Sequence, residues 1–312
     1  MIDIFALTTR PDPELFYRRG DPNDVRLGEV VSSSPDQYQA ADIVILGCPQ
    51  DDGVARNKGR IGAKEAPTQI RRCFYKWVAF SEEAPLIFDL GNTQIGPTLE
   101  DTHDRHQAIM RQLIRDGKTI IVLGGGNDVA YPDVSALASE IGKIHAISVD
   151  AHFDVRADLI RNSGTPYRQL LEEGALMGDS FHVVGYQPFA NSKTYINYLN
   201  RKDVELYSID ELFGETIPKA FEYILNKSRS EAIFWGLDMD VVCGADAPGV
   251  SAVNPLGLRA NDFCKIAFIA GQEERSRIFE ITEVNPRYDV NDLTCRLASV
   301  AMYQFILGFM DR

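Results

Sequence analysis

The sequence predicts an α/β fold in three layers, with a single mostly parallel β-sheet flanked by helices on both faces. Short apolar runs rich in β-branched residues alternate with helical patterns along the chain, which is typical of a parallel sheet. Most runs are almost continuously hydrophobic, as strands covered on both faces are. No linker, low-complexity segment or repeat interrupts this alternation. We therefore expect residues 1–312 to form one domain, with an irregular N-terminal extension over 1–38.

Eight strands follow from the apolar runs, and helices follow from the stretches between them. In chain order the strands are predicted at 42–48, 86–91, 119–125, 144–150, 180–186, 204–209, 232–240 and 278–285. Helical patterns occupy 101–116, 129–141, 218–228, 260–272 and 291–308, among others. Open parallel sheets bind ligands at the carboxyl ends of their strands, so the residues after each run are candidates for function.

The composition limits the classes of partner. The chain has 45 acidic and 32 basic side chains and a net charge of −13, which argues against binding nucleic acid or an anionic membrane. The first residues lack the pattern of a secretory signal, and we expect no apolar run to approach the length of a membrane span. These observations favour a soluble intracellular protein, and we expect it in the cytoplasm.

Polar side chains gather where the predicted strands end. Strand 42–48 runs into "CPQDDGVARNKGRIGA", and strand 119–125 runs through glycines into Asn127. The motif "DAHFD" closes strand 144–150, "DMD" closes strand 232–240, and Glu283 closes strand 278–285. Five strand ends thus direct acids or amides toward one region, which predicts a site there.

The acidic motifs predict a metal site. Residues two apart share one face of an extended segment, so "DAHFD" presents Asp150, His152 and Asp154 together, and "DMD" presents Asp238 and Asp240. Four carboxylates in one cleft repel each other unless a cation lies among them. A set of carboxylates with one imidazole suits manganese better than zinc or copper, and four carboxylates allow two bridged ions.

Simpler interpretations apply to several of the same residue types. An Asp after a strand is commonly a helix cap, and we expect that role for Asp128. His103 and His106 are spaced i, i+3 in a charged helix, where we expect a solvated face. His145 and His182 lie in apolar strands, where we expect core histidines with satisfied ring nitrogens.

Several of these motifs resemble those of the ureohydrolases, the family of arginase, agmatinase and formimidoylglutamase. "DAHFD" at 150–154, "GLDMDVV…APGVSAVNP" at 236–255 and "EVNP" at 283–286 carry the resemblance, which runs from about residue 40 to the end. The resemblance implies an arginase-type fold, a pair of Mn²⁺ ions in each subunit and a homo-oligomer, a trimer or hexamer.

The resemblance also implies the roles of the metal ligands. Asp150 and Asp238 would bridge the two ions, Asp154 would bind the first ion, and His152 and Asp240 would bind the second. The family's remaining ligand to the first ion is a histidine, and this chain has Asn127 there. An amide oxygen is a neutral and weaker donor than imidazole, so we expect a loosely held first ion.

Three loops resemble the formimidoylglutamase subfamily. They read "DDGVARNKGRIGAKEAPTQIR" (51–71), "RNSGTPYRQ" (161–169) and "VGYQPFANS" (184–192). The resemblance implies hydrolysis of N-formimidoyl-L-glutamate, an amidine, to L-glutamate and formamide in histidine breakdown, by attack of a metal-bound hydroxide on the amidine carbon. The alternatives are agmatinase or another guanidine hydrolase, and a non-catalytic ureohydrolase relative with an impaired metal site.

That reaction suggests roles for further residues. Glu283 would hold the amidinium by a charge-assisted hydrogen bond, and Asp154 would act as the general acid. The two substrate carboxylates need cations, for which Arg156 is the foremost candidate. The other candidates for substrate binding are Arg56, Arg60, Arg168, Asn162 and Ser163. For Arg60 and Arg168 a surface salt bridge is an equal alternative.

The five cysteines are scattered without a CxxC pair, so neither a disulfide framework nor a structural zinc site is expected. Cys48 and Cys243 each follow a strand whose end is predicted to line the cleft. They are candidates for a redox-sensitive disulfide, although a reducing compartment favours two buried thiols.

Overall fold

The computed structural model describes residues 2–81, 83–214, 216–227 and 229–312. Nine strands form one sheet in the order β1-β3-β2-β4-β9-β8-β5-β6-β7, in which β1 runs antiparallel to β3 and the other pairings are parallel. The strands are β1 (Thr8–Thr9), β2 (Ile43–Gly47), β3 (Ile87–Thr93), β4 (Thr119–Leu123), β5 (His145–Val149), β6 (Phe181–Tyr186), β7 (Glu205–Ser208), β8 (Ile233–Asp238) and β9 (Ser276–Thr282).

Eleven α-helices lie within the described ranges and connect these strands. They are α1 (Leu27–Val30), α2 (Asp52–Arg56), α3 (Ala66–Phe74), α4 (Leu99–Arg115), α5 (Ala130–Ile141), α6 (Pro166–Glu173), α7 (Lys193–Arg201), α8 (Ile209–Phe213), α9 (Ile217–Lys227), α10 (Ala260–Gln272) and α11 (Leu293–Met310). Residue 228, the last of the predicted helix 218–228, lies outside the described residues, as does residue 1 of the predicted extension.

Alternating side chains of each strand enter two separate hydrophobic cores. In β2, Ile43 and Ile45 pack with α3, α9, α10 and α11, whereas Val44 and Leu46 pack with α4, α5, α6 and α7. Both faces of the sheet are thus buried, which is why the strands read as continuous apolar runs. The predicted three-layer α/β fold is confirmed.

The N-terminal extension differs from its prediction. Residues 2–38 include α1 and the two-residue strand β1, which pairs with β3 through Thr8 and Thr9. The prediction of an irregular extension is therefore wrong. The strand was missed because two residues leave no periodic signal in the sequence.

Helix α11 is long and apolar enough to meet the criteria for a membrane span by length and composition. The expectation that no apolar run approaches that length is therefore wrong. More than half of this helix is buried, and it packs against α3 and α10, which is the setting of a core helix.

A polar cluster is buried between the sheet and helices α4 and α5. His103 lies 2.8 Å from Asp128, and His106 lies 2.9 Å from Asp133, with all four side chains nearly inaccessible. The predicted solvated face for the two histidines is wrong, because the charged pattern of α4 conceals buried acid partners. The predicted helix cap at Asp128 is also wrong, because its carboxylate faces His103 instead of the first turn of α5.

The two strand histidines are buried as predicted but not satisfied. The His145 and His182 rings pack against each other with their centres 4.6 Å apart and their planes tilted by 42°. Among the described residues neither nitrogen of His145 has a hydrogen-bond partner. Burial lowers the pKa of His145 to about 3 and that of His182 to about 4, so both rings are neutral.

A buried ion pair fastens α3 to β3 beside the first loop of the cleft. The Arg71 guanidinium donates to both carboxylate oxygens of Asp89, at 2.8 and 3.0 Å, and to the Gly91 carbonyl oxygen at 2.8 Å. Arg71 and Asp89 are both almost fully inaccessible. Such a pair is a weak net stabiliser, but removing one partner leaves the other as an unpaired charge in the core.

Replacing Arg71 by Leu should lower the free energy of unfolding by about 3–5 kcal/mol, because the Asp89 carboxylate loses its countercharge. Urea denaturation measures the effect. Arg72→Leu is the matched control, since Arg72 is exposed and a change there should stay within about 0.5 kcal/mol. Equal losses in the two variants would contradict the role given to the buried pair.

Candidate active site

Four neighbouring strands at the centre of the sheet carry the candidate ligands at their carboxyl ends. Asp150 directly follows β5, Asp238 is the last residue of β8, and Glu283 directly follows β9. Asn127 follows β4 after three glycines. Because these strands are adjacent and parallel, their ends bring the four side chains to one edge of the sheet.

The two acidic motifs meet in two overlapping groups. Ligand atoms of Asp150, His152 and Asp240 lie within 4.8 Å of one another, as do those of Asp150, Asp154 and Asp238. His152 Nδ1 is 3.1 Å from an oxygen of Asp240. Asp150 belongs to both groups, the position that a carboxylate bridging two ions would take.

Asn127 lies between the DAHFD motif and the end of β9. Its Nδ2 donates to Asp154 at 2.5 Å and to Asp150 at 3.2 Å, while its Oδ1 accepts from the Thr282 hydroxyl at 3.0 Å. Its backbone N–H donates to Glu283 at 3.0 Å. The amide therefore offers hydrogens to the acids, and ligation of a cation through Oδ1 would require it to turn over.

Two acids of the site have unusual backbone conformations. Asp154 and Glu283 lie in the left-handed region, with φ of 48° and 60°. This region disfavours residues with a side chain, and such strain is concentrated at functional sites. In this backbone conformation both residues line the cleft.

The charges of the site are unbalanced without a further cation. Burial raises the pKa of Asp150 to about 6. Burial and the neighbouring acids raise the pKa values of Asp154, Asp238 and Glu283 well above their ordinary range. The His152 pKa is raised, chiefly by the charge of Asp240.

The donor set fits a divalent cation. Oδ1 of Asp240 is buried without a hydrogen-bond partner among the described residues, and it belongs to the carboxylate that faces His152. Carboxylate oxygens with one imidazole suit a hard divalent ion such as Mn²⁺. The residues present therefore fit a metal centre.

A cleft of about 450 Å³ opens above these groups. Its walls come from residues 57–60, 163, 190–192, 195 and 251–252, in addition to Arg156 and the acids. Of the predicted substrate-binding residues, Arg60, Arg156, Ser163 and Glu283 line it.

Comparison with known proteins places this site in a family. The sequence model of the arginase family matches residues 41–308, most of the chain. The chain belongs to the arginase family. This agrees with the ureohydrolase motifs and with the arrangement of acids at the ends of the central strands.

The chain is similar to several formimidoylglutamases. It is 31% identical over 304 residues to the formimidoylglutamase of Staphylococcus aureus (strain bovine RF122 / ET3-1), which covers 96% of each chain. The crystal structure of Trypanosoma cruzi formiminoglutamase with Mn²⁺ has a TM-score of 0.87 at 29% identity, covering 93% of this chain and 99% of that one. The formimidoylglutamase of Bacillus subtilis has a TM-score of 0.88 at 26% identity and covers 94% of each chain.

Three predicted substrate-binding residues lie away from the lining of this arginase-family cleft. Arg56 pairs with both oxygens of Glu100, at 2.6 and 3.0 Å. Arg168 pairs with Glu172 one helical turn away at 2.9 Å. The Asn162 side chain bonds its own turn and accepts from the Gly164 N–H at 2.9 Å. Local partners thus hold the polar groups of Arg56, Arg168 and Asn162 in the structure, and their contact with a substrate stays a prediction.

Arg60 lines the cleft but its guanidinium is engaged. Its Nε donates to the Ser251 carbonyl oxygen at 2.9 Å, and Nη2 donates to the Val250 carbonyl oxygen. The guanidinium also stacks 4.2 Å from the ring centre of Tyr288. Arg60 thereby holds the loop at 250–251 against the first loop of the cleft.

Several residues of the cleft carry no specific signal in the sequence. Asn191 accepts from the Phe153 N–H at 3.1 Å and donates to the Ala151 carbonyl oxygen at 2.8 Å, which fixes the segment that carries His152. Lys58 and Tyr195 also line the cleft. Both lie within or next to loops that resemble the subfamily, and that proximity was the only available indication.

The cysteines are free thiols in the structure, and Cys48 and Cys243 are both buried. Burial raises the pKa of the Cys48 thiol well above its ordinary value, which disfavours the reactive thiolate. A redox-sensitive disulfide between Cys48 and Cys243 stays a prediction.

Binding of Mn²⁺ should release protons near pH 6. Acids with raised pKa values hold protons below those values, and a cation binds only after they leave. The release should diminish as the pH rises through the pKa of Asp150, about 6, because that acid is then already ionised. Calorimetric titrations in two buffers of different ionisation enthalpy measure the proton count.

The matched control for the proton count is Asp179→Asn, which removes an exposed acid outside the site and should leave the count unchanged. Binding of Mn²⁺ near pH 6 without proton release would contradict the raised pKa values.

Proposed function

We propose that this chain is a manganese-dependent formimidoylglutamase, which hydrolyses N-formimidoyl-L-glutamate to L-glutamate and formamide in histidine breakdown. The observation that carries the proposal is the pair of acid groups sharing Asp150, set beneath a cleft lined by Arg156. The similarity to formimidoylglutamases along nearly the whole chain supports this substrate.

The residues that would hold a manganese pair are those of the two overlapping groups. Asp150, His152 and Asp240 would hold one ion, and Asp150, Asp154 and Asp238 the other, with Asn127 beside the second set. Asp238 as a second bridge remains a proposal. When bound, the pair would make a water molecule acidic enough to serve as a nucleophile near neutral pH.

Glu283 is placed to orient the amidine. It lines the cleft, and the Asn127 N–H holds one of its oxygens at 3.0 Å. A carboxylate fixed in this way accepts charge-assisted hydrogen bonds from an amidinium, whose charge in turn favours the ionised form of Glu283.

Asp154 is placed to move a proton. It lines the cleft beside Arg156 and its pKa is raised by burial and by Asp150. A carboxyl group with a raised pKa can take a proton during attack and deliver it to the departing glutamate nitrogen, as a general acid does.

The cleft favours this substrate over agmatine and other guanidines with a cationic tail. Beyond the metal-ligand candidates and Glu283, the charged side chains described along its walls are Lys58, Arg60 and Arg156, all cationic. Cationic walls attract carboxylates and repel a second positive charge. A non-catalytic role is disfavoured because the acids that repel one another are retained as a set.

The resemblance to the family extends the proposal to assembly and location. We expect a homo-oligomer, a trimer or hexamer, that acts in the cytoplasm without a nucleic-acid or membrane partner. Sedimentation velocity of the purified protein measures the assembly.

The first test is a product assay. With saturating Mn²⁺, N-formimidoyl-L-glutamate should yield formamide and glutamate in equal amounts, and removal of the metal by a chelator should abolish both. Agmatine and arginine, which would yield urea, are the control substrates and should give none. Absence of formamide at saturating Mn²⁺ would contradict the proposed activity.

The second test concerns Asn127. Replacing it by His should slow the loss of one Mn²⁺ per chain during dialysis by about tenfold or more, because imidazole is a stronger donor than a neutral amide. Elemental analysis after dialysis measures the retention. Asn57→His is the control, because the Asn57 side chain is also in the cleft wall but donates to the Ser163 hydroxyl. Equal retention of two ions by the unmodified protein would contradict the expected weak site.

A further inference from the structure

The described part of the cleft offers few cations that are free to bind a ligand. Three Lys or Arg side chains line it, and the guanidinium of Arg60 is committed to the 250–251 loop and to Tyr288. For Lys58 and Arg156, the described residues supply neither an acidic partner nor a hydrogen-bond acceptor to the side-chain nitrogens. Two uncommitted cations therefore remain.

The loop around Lys58 is anchored on both sides. Before it, the Asn57 side chain donates to the Ser163 hydroxyl at 3.0 Å. After it, the Arg60 N–H donates to the Ser251 hydroxyl at 2.8 Å. Both serines line the cleft, so these bonds hold the loop across its mouth.

Lys58 itself has a conformation that L-residues rarely adopt. Its φ is 61°, and it follows the end of α2, where a glycine or asparagine is the usual residue. This lysine is held there against its backbone preference while its side chain is exposed along the cleft, so burial does not account for it. The observation points to a function for its charge.

We propose that Lys58 is a specificity-determining residue that binds the side-chain carboxylate of the substrate, while Arg156 binds the α-carboxylate. This inference rests on the proposed function, whose substrate carries two carboxylates and so matches the two uncommitted cations. The α-carboxylate is attached to the carbon that bears the departing nitrogen. Arg156 is two residues from the metal-ligand candidate Asp154, which places it nearer the reacting centre.

Lys58 suits the more distant carboxylate. An ammonium on a flexible four-carbon stem reaches a charge at the end of a two-carbon chain without demanding a fixed planar geometry. The arrangement gives each carboxylate its own cation. Loss of either cation should therefore raise KM only for a substrate that has the matching carboxylate.

The test is a cycle between variants and substrates. The variants are Lys58→Met, Lys58→Arg and Arg156→Met, and the substrates are N-formimidoyl-L-glutamate, N-formimidoyl-L-glutamine and N-formimidoyl-4-aminobutyrate. The glutamine compound lacks the side-chain charge, and the aminobutyrate compound lacks the α-carboxylate. Release of formamide gives kcat and KM for each pair.

Lys58→Met should raise KM for N-formimidoyl-L-glutamate about tenfold, with kcat within about threefold, and should leave KM for the glutamine compound unchanged. Lys58→Arg should restore most of the loss. Arg156→Met should raise KM for the glutamate and glutamine compounds and leave KM for the aminobutyrate compound unchanged. Lys64→Met, in the same loop but outside the lining of the cleft, is the matched control and should behave like the unmodified protein.

Two results would overturn the inference while leaving the proposed activity intact: an active unmodified enzyme whose Lys58→Met variant keeps its KM, or one whose variant loses affinity equally for the glutamate and glutamine compounds. An unmodified enzyme that releases no formamide would overturn the proposed function, and this inference with it.

Discussion

The mutual repulsion of buried carboxylates is the constraint on which the site depends. Asp150, Asp238 and Asp240 are buried at one edge of the sheet, and the half-buried Asp154 lies beside them. Such a cluster destabilises a fold unless protons or cations neutralise it. The protein tolerates it because both faces of the sheet are buried in large hydrophobic cores, which fix the strand ends and leave the acids no freedom to move apart. A divalent cation bound among these carboxylates would neutralise their repulsion and would itself be held by their charge.

Asn127 modifies that constraint. The neutral amide of Asn127 adds no charge and is a weak metal ligand. In the structure its Nδ2 donates hydrogen bonds to Asp150 and Asp154. The same residue positions Glu283 through its backbone N–H, so it links the metal-ligand candidates to the group proposed to hold the amidine. The site can therefore be assembled by hydrogen bonds within the protein, with the cation adding charge balance to a geometry that the strands already impose.

The fold could be predicted from sequence because buried parallel strands leave a continuous apolar signal, and the eight predicted strands are all present. The metal-ligand candidates could be predicted because D-x-H-x-D and D-x-D follow such strands. The partner of Arg56 could not, because Glu100 lies 44 residues further along the chain, in α4. The pairing of Arg168 with Glu172 was one of two alternatives open from the sequence, because residues four apart in one helix lie side by side. The buried histidines of α4 were missed for a related reason: their acid partners lie on a different helix segment, so nothing near them in sequence marks them as buried.

Diffraction from Mn²⁺-soaked crystals, measured at the manganese absorption edge, would locate the bound manganese. Two anomalous peaks should appear, one bonded to Asp150, His152 and Asp240 and the other to Asp150, Asp154 and Asp238, with lower occupancy at the peak beside Asn127. A single peak elsewhere in the molecule, or no peak among these acids at saturating Mn²⁺, would contradict the proposed metal centre.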